Sequence, residues 1–374
     1  MTAESASSNR PDRGSGTGLV LVTGASGHLG VNLVVQLLSD GRRVRVMLHP
    51  DHDNRGVEEL DVERAWGDFR DAKSVSAAVR GCERVYHCGA AVSTIHGDKS
   101  HRRRLFETNV LGTRHVLEAA RRHDVARVVV TGSFSAVGHH LDDPSAPSDE
   151  SVPFYPFHHA MPYERIKVLA ELECLRVVAR GLEVVVATSC AILGGNDYLP
   201  SRLGRTLCDF ANGRLRAYIP GGFEFVSARD IVEGHLLAMS RGRSGEKYIF
   251  STRFATLDEI IGLFERVTGV SRPSLRLPAP VMAAFAGVAS PVLSRFYPDF
   301  PQRLTPGAIR LLRMRRHADT RKAQLELGFR PSNIESAVEE AYAFLHARGV
   351  IENPAAREPT TGAAGPAPSE SRAA

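Results

Sequence analysis

With 374 residues, 43% of them hydrophobic and 24% charged, the chain can bury one large core or one core beside a smaller partner, which excludes a disordered or fibrous polypeptide. Its net charge of +5 is spread along the sequence, with clusters at 101–104 and 313–316, and no recognition motif joins the charge, so no nucleic-acid partner is expected. The cysteines Cys82, Cys88, Cys174, Cys190 and Cys208 are odd in number and form no Cys-x-x-Cys pair, which excludes a disulfide framework and a thiolate zinc site.

Residues 1–17 are polar, carry no apolar run of a secretory signal and are expected to be a disordered tail. Leu19-Val20-Leu21-Val22 predicts a strand ending at Thr23-Gly24. A helix pattern with Leu29, Leu33, Val34, Leu37 and Leu38 follows and stops at Gly41. Val44 to Leu48 predicts the second strand. The rhythm continues with helices over 74–79, 109–122 and 163–179 and strands over 84–87, 125–131 and 182–188. Near-continuous apolar strands between amphipathic helices predict a parallel sheet covered on both faces, with at least five strands before residue 190. After Cys190 the elements shorten, and helical patterns return at 231–239, 257–268, 321–327 and 334–345. The longest apolar stretch, residues 279–293, contains Pro280 and Pro291 and is too short to cross a bilayer as a helix. No membrane partner is expected, and the expected location is cytoplasmic.

Between the first strand and the first helix stands Thr23-Gly24-Ala25-Ser26-Gly27-His28-Leu29-Gly30. Gly24 permits a tight turn, Gly27 leaves bare backbone for a pyrophosphate, and Gly30 allows close helix–sheet contact. The helix start offers free N–H groups to the phosphates. Strand, turn and helix come in the required order, so Gly24, Ser26, Gly27, His28, Leu29 and Gly30 are candidate cofactor contacts. The expected fold class is α/β: a Rossmann-type doubly wound parallel sheet with a smaller C-terminal substrate-binding region. Residues 18–190 are expected to form the dinucleotide-binding domain. Residues 191–352 are expected to be mainly the substrate-binding region, with segments returning to the Rossmann core, and 353–374 a second disordered tail.

Tyr163 and Lys167 stand four apart in a helical pattern, on one face and one turn from each other. An ammonium there favours the phenolate, and such a tyrosine can exchange a proton with a carbinol oxygen. Ser133 falls at the C-terminal edge of a central strand, where open α/β sheets place their sites, with Ser135 as a nearby competitor. Read singly, the pair fits an ordinary amphipathic helix and the serine an ordinary turn.

Taken together the motifs say more. They are the glycine turn, Gly67-Asp68-Phe69-Arg70-Asp71, His87-Cys88-Gly89-Ala90-Ala91, Asn109-Val110-Leu111-Gly112-Thr113, Ser133 and Tyr163-Glu164-Arg165-Ile166-Lys167. In order and spacing, over roughly residues 19–350, the chain resembles the extended short-chain dehydrogenase/reductase family, also called the NAD-dependent epimerase/dehydratase family, and within it the dihydroflavonol-reductase-like subgroup. The resemblance implies Tyr163 as catalytic acid/base and Lys167 as the group that lowers its pKa and holds the nicotinamide ribose. It implies Ser133 as the orienter of the substrate oxygen and Asn109 as a support of the site. Asp68 and Phe69 would sit beside the adenine, and Ala90 and Ala91 would line the dinucleotide groove. It also implies a homodimer through the helices containing Asn109 and Tyr163. Residues 319–331 match the family's closing helix and turn. Residues 277–310 match least and are expected to shape the substrate pocket.

Cofactor choice turns on the end of the second strand. Leu48 stands where members preferring NAD carry a carboxylate, and His49, His52 and Arg55 are near, opposed by Asp51 and Asp53. NADP is expected over NAD. The main expected function is a carbonyl reductase that delivers hydride to a ketone, with Tyr163 as proton donor. The alternative is an NAD-dependent sugar or nucleotide-sugar epimerase, which would use the same residues. Dehydration is disfavoured because Phe134 and Ser135, not an acidic pair, follow Ser133. A nucleotide sugar is disfavoured because Thr188-Ser189-Cys190 lacks the family's asparagine and Phe223 stands where an arginine would grip a diphosphate, leaving Arg202, Arg205 or Arg229 to compensate. A non-catalytic dinucleotide-binding protein is opposed by the intact Ser133, Tyr163 and Lys167. The expected partner is a small carbonyl or sugar substrate. Phe154, Tyr155, Phe157, His158 and His159 form either a pocket wall or loop packing. His139, His140 and His158 have neither the spacing nor the carboxylate of a zinc site, so no metal is expected.

Overall fold

The computed structural model describes residues 18–359 except 94, 96, 155, 156, 158, 159, 279–281 and 283–304. The first half alternates strand and helix: β1 (Val20–Thr23), α1 (His28–Ser39), β2 (Val44–Leu48), α2 (Arg55–Glu58), β3 (Glu63–Trp66), α3 (Ala72–Val79), β4 (Arg84–His87), α4 (Lys99–Phe106), α5 (Gly112–Arg122), β5 (Arg127–Ser133), α6 (Pro162–Val178) and β6 (Val184–Ser189). The second half adds β7 (Ala191–Leu193), α7 (Arg202–Ala211), β8 (Ala217–Tyr218), β9 (Gly222–Ser227), α8 (Ala228–Arg241), β10 (Lys247–Phe250), β11 (Arg253–Thr256), α9 (Leu257–Thr268), β12 (Leu275–Arg276), α10 (Pro306–Met314) and α11 (Ile334–Ala347).

Seven parallel strands form the main sheet in the order β10-β6-β5-β4-β1-β2-β3. The period-two alternation of each strand divides the core. Val20, Val22, Val129, Val185 and Ala187 pack on the face covered by α1 and α8. Leu21, Val128, Val130, Val184 and Val186 pack on the face covered by α3, α5 and α6. Strand order reverses between β1 and β4, which opens a crevice at the C-terminal strand ends.

A third cluster, with Leu193, Phe210, Phe225, Phe264, Val338 and Tyr342, is the core of the second half. Around it lie a three-stranded sheet, β11-β9-β7, and the short pair β12-β8. The chain also returns to the main sheet, since Ala323, Leu327 and Phe329 bury in the same cluster as Val22 and Val46.

Four differences from the sequence expectation have local causes. Strand β3, Glu-Arg-Ala-Trp, carries no apolar run because it is a sheet edge, where charged residues block further pairing. Strand β5 runs two residues past Thr131, so Ser133 ends the strand instead of following it. The helix expected from Asn109 begins as a π-helical turn over Glu107–Leu111, and Ala323–Leu327 is a second such turn. Residues 353–359, expected in a tail, are held: Arg357 N donates to Thr268 O at 2.7 Å, and the Tyr342 hydroxyl donates to Arg357 O. Backbone hydrogen bonding, which composition does not report, fixes this segment.

Candidate active site

The glycine turn lies at the switch point, and its three glycines face different constraints. Gly24 has φ of +67°, and a Cβ there would stand 2.5 Å from the Gly89 backbone at the end of β4. A Cβ on Gly30 would meet Gly24 O and stand 2.7 Å from Ala25 Cα. At Gly27 the backbone is extended and exposed, and a Cβ would touch only Gly24 O at 3.3 Å. The space in front of Gly27, at the start of α1, therefore remains open for a phosphate, and the residues fit a dinucleotide there. His28 turns the other way. Its Nε2 bonds Gly195 O at 2.9 Å, and Asn32 Nδ2 donates to the same oxygen at 3.0 Å, tying α1 to the second half. The ring of His28, an expected cofactor contact, is engaged between the halves, and its backbone stands at the start of α1. Ser26 is part of the turn, and Leu29 is buried in the core beneath α1.

Ser133, Tyr163 and Lys167 come together at the C-terminal edge of β5. Pro162 occupies the first turn of α6, and the Glu164 carboxylate accepts Met161 N at 2.7 Å, closing the helix start. Tyr163 thus enters the site at a rigid helix N-terminus. Burial raises its phenol pKa, and a hydrogen bond with the Ser133 side chain lowers it. Ser133 Oγ also accepts Ser135 N at 3.3 Å, which leaves Ser135 a support of the turn. Lys167 is buried, and its Nζ donates to Thr131 O at 2.8 Å. Burial lowers its pKa, opposed by Glu171, Cys174 and Cys88. The sequence reading had Lys167 lowering the Tyr163 pKa. In the structure Ser133 lowers it, and the Lys167 ammonium is bound to the Thr131 carbonyl.

Behind these residues run two separate chains of hydrogen-bonded polar groups, centred on His235 and His87, which the motifs do not reveal. Thr131 Oγ1 bonds His235 Nε2 at 2.8 Å, and His235 Nδ1 bonds Ile231 O at 2.7 Å. A carbonyl only accepts, so His235 carries its proton on Nδ1 and takes the threonine proton on Nε2. Burial holds its pKa at about 4, so it is neutral. Thr23 Oγ1 bonds His87 Nδ1 at 2.7 Å, His87 Nε2 bonds Thr113 Oγ1 at 3.0 Å, and Thr113 donates to Asn109 O at 2.6 Å. Burial, then Lys167, lowers His87 to about 3. Asn109 closes the network with paired bonds to Ala91: Ala91 N to Oδ1 at 2.8 Å and Nδ2 to Ala91 O at 2.9 Å. The loop of Ala90 and Ala91 is thereby fixed beside Gly89 and Gly24. A histidine inside the apolar strand β4 was the sequence signal for this network.

At the far end of the crevice lie His49, Asp68 and Phe69. His49 Nε2 is 3.4 Å from Asp68 Oδ2, and its ring stacks on His52 with centroids 4.4 Å apart. Arg70 donates to Asp68, whose pKa falls to about 2 through that bond. Arg55 is bound to Asp53 in the same way. Burial, then His49, lowers the His52 pKa, so His52 is neutral at pH 7. Phe69 packs edge-on against His87 at 5.5 Å. A surface cavity of about 420 Å³ opens here, lined by Asp68, Arg70, Asp71, Glu107 and Leu111. A larger one of about 500 Å³, lined by groups such as Glu150, Lys247, Asp319 and Lys322, contains none of the residues above; Lys247, Asp319 and Lys322 are held there in ion pairs.

Among the described residues no His, Cys, Asp or Glu cluster could hold a metal, and no helix is long and apolar enough to cross a membrane. All five cysteines are free. Tyr155, His158 and His159, and residues 279–293 apart from Met282, lie outside the described residues. Phe154 and Phe157 pack on each other at 5.8 Å.

Comparison with known proteins is in keeping with this geometry. The chain is 41% identical over 331 residues to sterol demethylase protein B of Methylococcus capsulatus, covering 88% of this chain and 99% of the relative. It is 29% identical over 309 residues to 3beta-hydroxysteroid-dehydrogenase/decarboxylase isoform 2 of Arabidopsis thaliana, covering 76% of this chain and 53% of that relative. A nucleoside-diphosphate-sugar epimerase from Pseudomonas aeruginosa superposes with a TM-score of 0.72 over 89% of this chain and 99% of that one; at 20% identity the likeness is one of fold. Residues 20–250 match the NAD dependent epimerase/dehydratase family. A parallel sheet with a glycine turn at its switch point, joined to this match, makes the chain an NAD(P)-dependent enzyme of the NAD dependent epimerase/dehydratase family.

Proposed function

We propose that the chain catalyses NAD-linked hydride transfer at a secondary alcohol of a bulky apolar, sterol-like substrate, with Tyr163 moving the carbinol proton. The observation that carries this reading is the placing of Ser133, at the end of β5, close enough to the half-buried Tyr163 phenol to lower its pKa, with Lys167 one helical turn away. The dinucleotide, when bound, supplies the carbon that exchanges the hydride. The chain's residues do the rest. Tyr163 accepts the hydroxyl proton during oxidation and returns it during reduction. Ser133 holds the reacting oxygen, Lys167 places a cation at the β5 end, and Asn109 fixes the loop of Ala90 and Ala91.

The substrate class is supported by the relative named for sterol demethylation, which matches nearly end to end, and by the one named for 3beta-hydroxysteroid oxidation and decarboxylation. This shifts the expected subgroup from dihydroflavonol-like ketone reductases toward carbinol dehydrogenases. The cofactor preference shifts as well, from NADP to NAD. Past the C-terminal end of β2, Arg55 and Arg70 are bound to carboxylates and His52 is neutral, so little positive charge is left for a 2′-phosphate.

A nucleotide-sugar epimerase is the second reading, favoured by the family's description and by the fold shared with sugar epimerases. It begins with the same oxidation and then reverses it. Against it, Arg229, one of three arginines that could grip a diphosphate, is engaged by Glu340 at 2.7 Å. The test is to supply NAD with detergent-solubilised cholesterol, as the 3β-hydroxysteroid probe, and separately with UDP-galactose. Net NADH with cholesterol supports the dehydrogenase. UDP-glucose formed without net NADH would replace it with the epimerase.

A further inference from the structure

We propose that Arg316 is a positioning residue for this reaction: its guanidinium, buried under the turn that follows β5, fixes that turn and with it the Ser133 hydroxyl against Tyr163. The inference rests on the reading of Ser133 and Tyr163 given above.

After Ser133 the chain makes one tight turn over Phe134–Ala136 and leaves it extended at Val137. Phe134, Ala136 and Val137 are buried, so water cannot satisfy the carbonyls of this segment. Arg316 does so from the other half of the molecule. Its Nη2 donates to Val137 O at 2.9 Å and Gly138 O at 2.6 Å, Nη1 lies 3.4 Å from Phe134 O, and the guanidinium sits 4.5 Å from the centre of the Phe134 ring. Burial lowers its pKa to about 10, which still leaves it a cation at neutral pH. Only a planar fork reaches several carbonyls while stacking on an aromatic face.

Arg316 is itself held from both sides. Arg315 turns left-handed at φ 47° to end α10. Beyond it, His317 O accepts Ser148 N at 2.9 Å, Ala318 N donates to buried Glu224 at 2.8 Å, and Asp319 N donates to Ser148 O at 2.9 Å. The same stretch approaches Tyr163 from its helix, since Arg310 on α10 lies 3.9 Å from Glu164. One C-terminal segment therefore touches the supports of both site residues, which no motif of the first half reveals.

The test compares wild type with Arg316→Met and Arg316→Lys, the latter keeping the charge and losing the fork. Three quantities are read: dinucleotide affinity, kcat and KM for cholesterol oxidation, and the phenol-carbon NMR shift of Tyr163, identified by its loss in Tyr163→Phe. Both variants should keep dinucleotide affinity and KM within about threefold, lower kcat by about 10- to 100-fold, and move the Tyr163 signal toward that of Ser133→Ala. A folded variant with wild-type kcat and an unmoved Tyr163 signal would overturn the proposal. So would a loss of dinucleotide affinity in step with kcat, which marks general damage. If Arg316→Met does not fold, Arg316→Lys decides. If the wild type oxidises no cholesterol, the sterol reading fails, and the Tyr163 signal alone still decides whether Arg316 sets Ser133.

Discussion

Two opposed influences act on Tyr163, burial raising its pKa and Ser133 lowering it, and the balance is upward. The phenol is therefore protonated through neutral pH. Oxidation, which needs the phenolate, should gain kcat/KM as pH rises into the alkaline range. Reduction, which needs the phenol, should hold through neutral pH and fall at the alkaline end. Profiles measured in both directions check the sign, and parallel profiles would remove Tyr163 as the titrating group. Tyr163→Phe keeps the ring and its packing but loses the proton carrier, so turnover should fall by at least about 100-fold while dinucleotide affinity holds. Lys167→Ala should differ by weakening both, because its ammonium is bound at Thr131, two residues before Ser133, within reach of both the phenol and the dinucleotide's ribose side of the crevice. Ser133→Ala should spare binding and reduce turnover less than the Tyr163 change. The single tryptophan, Trp66, at the end of β3 and 56% exposed, gives the binding readout by energy transfer to NADH.

At the scale of elements, the glycine turn separates packing from ligand contact. Gly30→Ala forces a Cβ into the Gly24 and Ala25 backbone and should cost about 1–3 kcal/mol of stability, seen as a lower Tm. Gly27→Ala meets only an oxygen at 3.3 Å, so Tm should hold while dinucleotide affinity falls by about tenfold or more. Equal Tm losses for the two would mean that Gly27 is also a packing glycine. The same division explains what could be read in advance. Buried strands announce themselves: Val128, Val129 and Val130 could be little else than a central strand, and the turn and the Tyr163–Lys167 spacing depend on neighbours in sequence. Strand β3 was hidden because an edge strand is written in charges, and the setting of Asn109 because its partner, Ala91, lies eighteen positions away. His87 and Arg316 have partners at still greater distances, and no window of sequence holds such pairs together.

On the scale of the whole molecule, the two halves interlock at the site. His28 and Asn32 hold Gly195, and Arg316 holds the turn after Ser133, so each half completes the other's part of the crevice. The outer surface is organised differently. Helices α5 and α6 are joined within the chain by Arg114, Glu118, Glu173 and Arg176. Beside these ion pairs α6 turns Leu172 and Leu175 outward, each more than half exposed, on the helix that carries Tyr163. Three residues apart, they form an apolar stripe. A stripe of this kind, rimmed by satisfied charges, suits an isologous interface in which α6 meets its own copy across a two-fold axis, as the expected homodimer requires. Leu172→Glu combined with Leu175→Glu would place like charges opposite each other across that axis. The sedimentation mass of the double variant should be half that of the wild type, with Tm changed only by the loss of dimer linkage, which grows with protein concentration. Wild-type protein that sediments as a monomer at the concentrations used for turnover would remove the dimer from the account and leave the exposed leucines as isolated surface residues.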